Sequence, residues 1–351
     1  MIPYLEIINK YTLKKFETVE PSECWFELSY YEVGEFEVYA PATSRNLSAL
    51  QKGNYVKIPN KRYIWVITSI EYTLTAGGAR MISAKGYEAK WLLNKRVIQT
   101  PKELQGTITS AVYGLVNNAL GTGAQAVRKV VGFNVDNNNL LIDISGTQAP
   151  RGNLLEFVNE LLKTYNCGSQ VIYENGQLKY TILNGEVKNN SVKFSESLDN
   201  LLSSTYLSND EELATNALVV STVEEVDYTQ TYDTGATGID RAEILVNSNL
   251  NTKYEDVNGV EQETTPTSTL FKGWQTEEAK NELIKHKEIK EVNGEIDLST
   301  SLYEFDNDFY LGDIVGIQDE YFNFVLTPRI LKYTFSLDAK GIYAEAADYG
   351  E

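Results

Sequence analysis

The feature that most constrains this fold is a pattern that occurs near each end of the chain. In the first copy Gly53 opens Gly53-Asn54-Tyr55-Val56-Lys57-Ile58, and a second apolar run, Ile64 to Ile70, leads into Glu71-Tyr72-Thr73-Leu74. In the second copy Gly312 opens Gly312-Asp313-Ile314-Val315-Gly316-Ile317, and the run Val325 to Leu331 leads into Lys332-Tyr333-Thr334-Phe335. Each copy then reaches a glycine-bearing turn, Gly77-Gly78 or Gly341, followed by an alternating strand, Met81 to Gly86 or Ile342 to Ala347. A recurrence this far apart is not a solenoid period. It predicts two related β-barrel-like modules. Spacings between matched points differ by two or three residues, so coincidence between ordinary hairpins is the alternative.

A chain of 351 residues suits two or three domains, each able to bury its own apolar surface. Its 42% hydrophobic and 23% charged residues are ordinary for a globular protein and point to neither disorder nor a disulfide scaffold. No apolar run approaches the length of a membrane span, and Met1-Ile2-Pro3-Tyr4-Leu5-Glu6 lacks the layout of a signal peptide. Synthesis in a cytoplasm and no membrane segment are therefore expected. Cys24 and Cys167 lie far apart and form no ligand pair, which argues against a disulfide or a zinc site. The single histidine, His286, sits between Lys285 and Lys287 on what reads as a solvated helix face. With 49 acidic and 31 basic residues the formal net charge is −18, which repels phosphate backbones and excludes nucleic-acid binding through a basic patch. A wall past which DNA moves without sticking is the functional reading of that charge, and simple solubility is the plain one.

Residues 1–100 read as the first β module. Trp25 to Tyr30 and Glu35 to Tyr39 alternate as two strands with Gly34 in the turn, Pro41 to Leu50 is a short connector, and Glu88 to Leu93 is a helical closure after the last strand. From Pro101 the period changes: Ile108, Val112, Leu115, Val116 and Leu120 have helical spacing and stop at Gly121. A second helix runs through Leu154, Leu155, Val158, Leu161 and Leu162, with Asn153 or the preceding Arg151-Gly152 at its start and Gly168 beyond its end, and strand material lies between Phe133 and Ile144. Asn175-Gly176 between two alternating runs is the signature of a type I′ hairpin. Residues 101–190 thus form an α/β insert. Residues 191–351 form the second β module, with strands at Val192 to Phe194 and Asn216 to Glu224 and a polar connector from Ser195 to Ser204. A long exposed loop or ribbon over 227–270 and a helix near 276–290 follow, and Asp297 to Phe305 and Phe309 to Ala347 complete the module. The expected fold class is α+β: mainly β with an α/β insert.

Few constellations invite chemistry. Glu304, Asp306, Asp308, Asp313 and Asp319 suggest calcium or a carboxylate pair, but no Asp-x-Asp-x-Asp-Gly loop with a terminal Glu is present. Asp306-Asn307-Asp308 as a turn and Gly312-Asp313 as a tight strand entry account for them at lower cost. No nucleophile elbow and no Walker loop occur, and Gly121-Thr122-Gly123-Ala124 follows a helix where a dinucleotide turn would follow a strand. A cysteine hydrolase would need Cys24 or Cys167 to meet His286. No catalytic, cofactor-binding or metal-binding residue is assigned. The 23 tyrosines, against 12 phenylalanines and 4 tryptophans, suit subunit interfaces and sugar-binding faces, though β propensity also explains them.

Segments at both ends of the chain carry a resemblance. Trp25 to Val38, the run Ile64 to Tyr72, and Lys85-Gly86-Tyr87-Glu88-Ala89-Lys90-Trp91-Leu92-Leu93-Asn94-Lys95-Arg96-Val97-Ile98 resemble the N-terminal module of siphophage tail-hub proteins. Leu311-Gly312-Asp313-Ile314-Val315, with Pro328-Arg329-Ile330 and a closing strand, is similar to the C-terminal part of the same family. Residues 227–270 match nothing in it. The resemblance implies a non-enzymatic hub protein of a tail tip or baseplate, in long-tailed phages or tail-derived particles. It implies a homotrimer in which each subunit gives two related barrels to a ring, adapts a sixfold tail to a threefold tip and lines the DNA exit channel without stable nucleic-acid binding. Implied partners are the distal tail ring, the tape measure and a tip or spike protein. Because the chain stops at Glu351, wall cleavage or receptor recognition is expected from a separate polypeptide, unless it resides in residues 227–270. The structural positions expected to matter are Trp25 and Trp91 as anchors of the first module, Gly34, Gly86 and Gly312 for close backbone approach, Asp313 beside Gly312, Arg96 within Lys85–Ile98, and Arg329 paired with an acid across a strand. A peptidoglycan hydrolase and a carbohydrate-binding adhesin are the alternatives.

Overall fold

The computed structural model describes residues 4–74, 77–299, 301–319 and 324–350. The Met1-Ile2-Pro3 start and the side chain of Asp319 lie outside the described residues. The N-terminal part is a succession of antiparallel strands, β1 (Leu5–Ile8), β2 (Lys15–Val19), β3 (Glu23–Ser29), β4 (Glu35–Pro41), β5 (Tyr55–Lys57), β6 (Ile64–Leu74) and β7 (Arg80–Glu88), with the short helix α1 (Ser44–Ala49) after β4. Alternation explains them: β3 buries Cys24, Phe26 and Leu28 while β4 buries Phe36, Val38 and Ala40, every second residue facing the core. Phe26 stands opposite Phe36 in the pairing, and their rings lie parallel with centres 5.5 Å apart. A 3-10 turn, Ala89–Lys95, closes this part where a helical closure is expected.

The middle of the chain holds β8 (Val97–Ile98), β9 (Lys102–Thr107), α2 (Ile108–Leu120), β10 (Phe133–Val135), β11 (Asp143–Ala149), β12 (Gly152–Asn153), α3 (Leu154–Thr164), β13 (Gly168–Glu174) and β14 (Gln177–Leu183). Both helices begin at side-chain caps: Thr107 accepts from the Ser110 N–H, and Asn153 accepts from the N–H groups of Leu155 and Glu156. The β13–β14 turn has Asn175 at φ 51° and Gly176 at φ 75°, the two positive values a type I′ turn requires.

The remainder comprises β15 (Lys193–Ser195), β16 (Leu201–Asn209), β17 (Asn216–Val223), β18 (Val226–Asp233), β19 (Glu243–Ser248), β20 (Lys253–Glu255), β21 (Glu261–Glu263), α4 (Thr269–Lys285), β22 (Ile289–Asp297), β23 (Gly316–Asp319), β24 (Phe324–Leu326), β25 (Arg329–Leu337) and β26 (Tyr343–Gly350). Of the loop or ribbon expected over 227–270, the structure forms ribbons of strand: β18 and β19 flank β17 in one sheet, and β20–β21 forms a hairpin beside β9. The turn signal before β18 was hidden, because Glu224 and Glu225 take φ 52° and 66° where Asn or Gly would ordinarily stand. The helix runs 269–285 and not 276–290, since Ser268 caps it by accepting from the Phe271 N–H and its first turns bury Phe271, Trp274 and Gln275. The Ser195–Ser204 connector contains the start of β16.

The dominant sheet has eleven strands in the order β16-β22-β26-β25-β3-β4-β7-β6-β5-β1-β2. The fold is mainly β, but among the described residues neither end closes into a barrel, which corrects the barrel expectation. The physical reason lies in β3: its edge opposite β4 pairs with β25 from the other end of the chain, so the two ends complete each other's ladder. One apolar cluster accordingly joins Phe26, Phe36 and Trp65 to Phe305, Phe309, Tyr333 and Phe335. A second cluster packs α2, α3, β13 and β14 against Ile64 and Val66 of β6. No helix among the described residues is long and apolar enough to cross a membrane.

The repeated pattern has matching local geometry at its two sites. Gly53 has φ 87° and Gly312 φ 92°. The Gly53 N–H donates to the Ile67 carbonyl at 2.7 Å and the Ile67 N–H to the Asn54 carbonyl at 2.9 Å. Likewise the Gly312 N–H donates to the Ile330 carbonyl and the Ile330 N–H to the Asp313 carbonyl, both at 2.9 Å. The register of β6 with β7 shifts between Ile67 and Ser69, and that of β25 with β26 between Ile330 and Lys332.

Candidate functional site

Two buried polar clusters hold the ends of the chain and the middle together. The first is built on Tyr30, which follows β3 and is 0% exposed. Its hydroxyl lies 2.9 Å from the Asn166 carbonyl and 3.0 Å from the Leu183 carbonyl, so it bridges the two ends of the β13–β14 hairpin. Arg329, the first residue of β25, places its guanidinium carbon 5.1 Å from the centre of the Tyr30 ring. Its Nη1 donates to the carbonyls of Gly312 and Asn184 and lies 3.4 Å from the Tyr30 hydroxyl. The expected acid across the strand is therefore replaced, among the described residues, by backbone carbonyls and a ring face. A planar fork suits that task, because it serves several acceptors at once. Burial pushes the Tyr30 hydroxyl well above its ordinary pKa, with Arg329 opposing.

Glycines make this cluster possible. A Cβ on Gly312 would lie 2.1 Å from the Tyr30 ring, one on Gly168 2.5 Å from it, and one on Gly185 1.9 Å from the Gly312 carbonyl oxygen. Asp313 is 2% exposed and acts as a loop clamp. Its Oδ1 accepts from the Glu186 N–H at 2.7 Å, its Oδ2 from the Tyr310 N–H at 2.9 Å, and Lys188 Nζ stands 3.5 Å from Oδ2.

The second cluster is the buried pair Glu88 and Lys90. Glu88 Oε2 accepts from the Gly34 N–H at 2.7 Å and the Ser29 N–H at 3.3 Å. Lys90 Nζ donates to the Ser29 and Ser169 carbonyls at 2.5 and 3.0 Å and stands 3.6 Å from Glu88 Oε2. Burial pushes Glu88 up and Lys90 down, and each charge pulls the other back. Gly34 has no room for a side chain, since its Cβ would fall 2.2 Å from the Glu27 carbonyl oxygen, and on Gly86 a Cβ would fall 1.9 Å from that of Val66.

The remaining expected positions are dispersed. Trp91 is half-buried, stacked on Tyr87 at 5.4 Å between ring centres with Lys95 Nζ 4.8 Å from its ring. Arg96 donates to the Ala119 carbonyl near the end of α2 at 3.3 Å and to the Arg128 carbonyl at 2.7 Å. Trp25 is also half-buried, on the strand face opposite Phe26, so it does not fill the apolar core. Trp65 does: it is 0% exposed, donates from Nε1 to the Glu27 carbonyl at 3.0 Å, and meets Phe26 and Phe335 at 4.8 and 5.7 Å between ring centres. Tyr30, Trp65, Glu88 and Lys90 went unselected in the sequence. The one signal was that Glu88 and Lys90, both charged, sit between apolar neighbours.

The acidic group near 304–313 is engaged by protein partners. Lys61 Nζ is 3.1 Å from Asp306 Oδ2, the Tyr63 hydroxyl bonds Oδ1, and Asp308 Oδ2 accepts from the Glu304 N–H at 2.8 Å. No group of three or more His, Cys, Asp or Glu side chains among the described residues is arranged to hold a metal ion. Both thiols are free and buried, and burial pushes Cys24 up to about 12 and Cys167 up to about 11, far from a reactive thiolate at neutral pH. His286 is half-buried, with Nδ1 3.2 Å from the Glu212 carbonyl.

The fold is similar to three solved structures at low sequence identity. A tail protein from Neisseria meningitidis MC58 matches with a TM-score of 0.57 at 10% identity, over 99% of this chain and 96% of that one. The 43 kDa tail protein of prophage MuSo2 from Shewanella oneidensis matches with a TM-score of 0.57 at 10% identity, over 99% and 97%. The prophage tail protein gp18 from Listeria monocytogenes EGD-e matches with a TM-score of 0.51 at 13% identity, over 99% and 94%. Among curated proteins, none matches the chain. The tail-protein resemblance read from Trp25–Val38, Lys85–Ile98 and Leu311–Val315 is thereby met at the level of family as well as fold, for the family described as Siphovirus ReqiPepy6 Gp37-like protein matches residues 11–350, and the chain belongs to it.

Proposed function

We propose that this tail protein is a non-enzymatic hub of a phage or phage-tail-like tip or baseplate. Three copies, each contributing two related β modules, form a ring that adapts a sixfold tail to a threefold tip and lines the DNA exit channel. The modules are taken as 1–100 and 191–351, with 101–190 as the insert between them. Its partners are then the distal tail ring, the tape measure and a tip or spike protein, and its place is the virion tail tip after synthesis in the host cytoplasm.

The observation that carries this reading is the paired geometry at Gly53–Ile67 and Gly312–Ile330, where the same two hydrogen bonds and the same register shift recur. Two equivalent modules per chain turn three subunits into six near-equivalent positions, which a threefold object needs to sit on a sixfold one. The net charge of −18 suits a wall that DNA passes without binding. The peptidoglycan hydrolase and adhesin readings gain no support from thiols that are buried or from carboxylates already engaged by Lys61 and backbone N–H groups. The test is mass photometry with negative-stain imaging of the purified chain and of isolated tails. Rings of threefold mass with an open centre are expected. A tip whose ring lacks this chain, or clearing of peptidoglycan by the purified protein, would overturn the reading.

A further inference from the structure

Between its two ends the chain pairs β3 with β25, and among the described residues it also shows both halves of a second such junction with no strand along their outer edges. In the internal junction β25 runs antiparallel to β3, from Lys332 opposite Ser29 to Leu337 opposite Cys24. β25 is divided at its register shift. Before the shift Arg329 and Ile330 bond to the Asp313–Ile314 segment, and after it residues 332–337 are covered by β3. β6 is divided in the same way. Residues 64–67 are covered by β5 and Asn54, the shift follows, and Ser69–Leu74 pair with β7 along one edge and with no described strand along the other.

Matching Ile67 to Ile330 makes Ser69–Leu74 the counterpart of Lys332–Leu337. The counterpart of β3 follows from the same alignment. Cys24, Val38 and Ala84 lie in a row across β3, β4 and β7, as Leu201, Ile296 and Ala347 do across β16, β22 and β26. β16 is the terminal strand of the eleven-stranded sheet. Exposure shows what each half lacks. Phe335 and Leu337, covered by β3, are 1% and 9% exposed, whereas their counterparts Tyr72 and Leu74 are 61% and 67% exposed. On β16, Leu202 is 58% and Leu207 44% exposed. Two apolar, uncovered edges on one protein are a template for strand addition.

We propose that β16 of one copy of the chain adds to Ser69–Leu74 of a second copy, in the register that β3 and β25 use within the chain. Leu207 then stands opposite Ser69, and the pairing runs to Ser203 opposite Thr73. Tyr206 meets Ile70, an aromatic and β-branched pair of the kind that stabilises antiparallel ladders, and Glu71 meets the neutral Thr205. The contact joins different surfaces of the two copies, so it propagates head to tail and closes only as a ring. This inference rests on the hub reading and assigns that ring its contact.

Glu71 and Thr205 are exposed and stand opposite each other in this register, while the native thiols are buried. The double variant Glu71→Cys with Thr205→Cys, oxidised and run without reductant, is expected to give covalent dimers and trimers that revert on reduction. An equal mixture of the two single variants is expected to stop at dimers. The slipped pair Glu71→Cys with Ser203→Cys should cross-link at least several-fold less, and Tyr72→Asp should weaken self-association about tenfold with the monomer's circular dichroism unchanged. Rings of normal mass in which the matched pair cross-links no better than the slipped one would overturn this register and leave the hub reading standing. A chain that neither assembles nor cross-links, alone or in tails, would overturn both.

Discussion

Gly312 concentrates two constraints in one residue. Its φ of 92° lies where a side chain is strained, and its missing Cβ is the space that the Tyr30 ring occupies. Gly341 isolates the first constraint, since φ is 80° but nothing lies within 4 Å of its Cβ position. Gly341→Ala should therefore cost only strain, about 1 kcal/mol. Gly312→Val should cost more, roughly 3 kcal/mol or above, because Tyr30 must also leave its place between Arg329 and the Asn166 and Leu183 carbonyls. Paired denaturant titrations of the two variants measure the difference, and equal losses would show that the Tyr30 contact is immaterial. The tight entry at Gly312-Asp313 was legible because a Gly-Asp step before a β run has few other uses. The partners of Arg329 were not legible, since they are carbonyls at 184 and 312 whose approach depends on how distant segments pack. Trp25 and Trp65 show a related blindness: Trp25 sits in an alternating strand and Trp65 in a continuous apolar run, and neither pattern says which face another element covers.

Elements were legible where local chemistry announces them. α2 stops at Gly121 and α3 starts behind Asn153, as the apolar spacing and the cap residue require. The β13–β14 hairpin declares itself through Asn175-Gly176. The β17–β18 hairpin does the same work with Glu224-Glu225, two β-unsuited residues at φ 52° and 66°, and its strands carry polar outer faces, so the region read as a loop or ribbon. That mismatch has an energetic consequence. Replacing Glu224-Glu225 with Asn-Gly should relieve the positive-φ strain and an adjacent like-charge pair, and stabilise the hairpin by roughly 1 kcal/mol. The readout is slowed amide exchange across β17 and β18 together with a small rise in unfolding temperature. Unchanged or faster exchange would mean that the turn is held by its surroundings and not by its own conformational preference.

At the scale of the molecule, two recurring strand patterns predict two related β-barrel-like modules; among the described residues no closed barrel is found, and the strands of the two ends meet edge to edge through β3 and β25. Periodicity reports which face of a strand is buried, but it carries no information about which strand lies on its edge, so the long-range partner was out of reach. The junction is also packed, because Phe335 of β25 contacts Phe26 of β3 at 6.0 Å and Trp65 of β6 at 5.7 Å between ring centres. An aromatic shared in this way cannot be removed from one end alone. Phe335→Ala should cost about 3–5 kcal/mol, the usual range for emptying a buried phenylalanine site. If the ends are one cooperative unit, amides of β3, β4 and β6 should lose protection to the same degree as those of β25 and β26, since both sets open through the same event. Hydrogen exchange followed strand by strand resolves the two cases. Loss confined to β25 and β26 would mean that the N-terminal strands hold their structure without the C-terminal ones, and that the shared sheet is a docking of two units that are already stable.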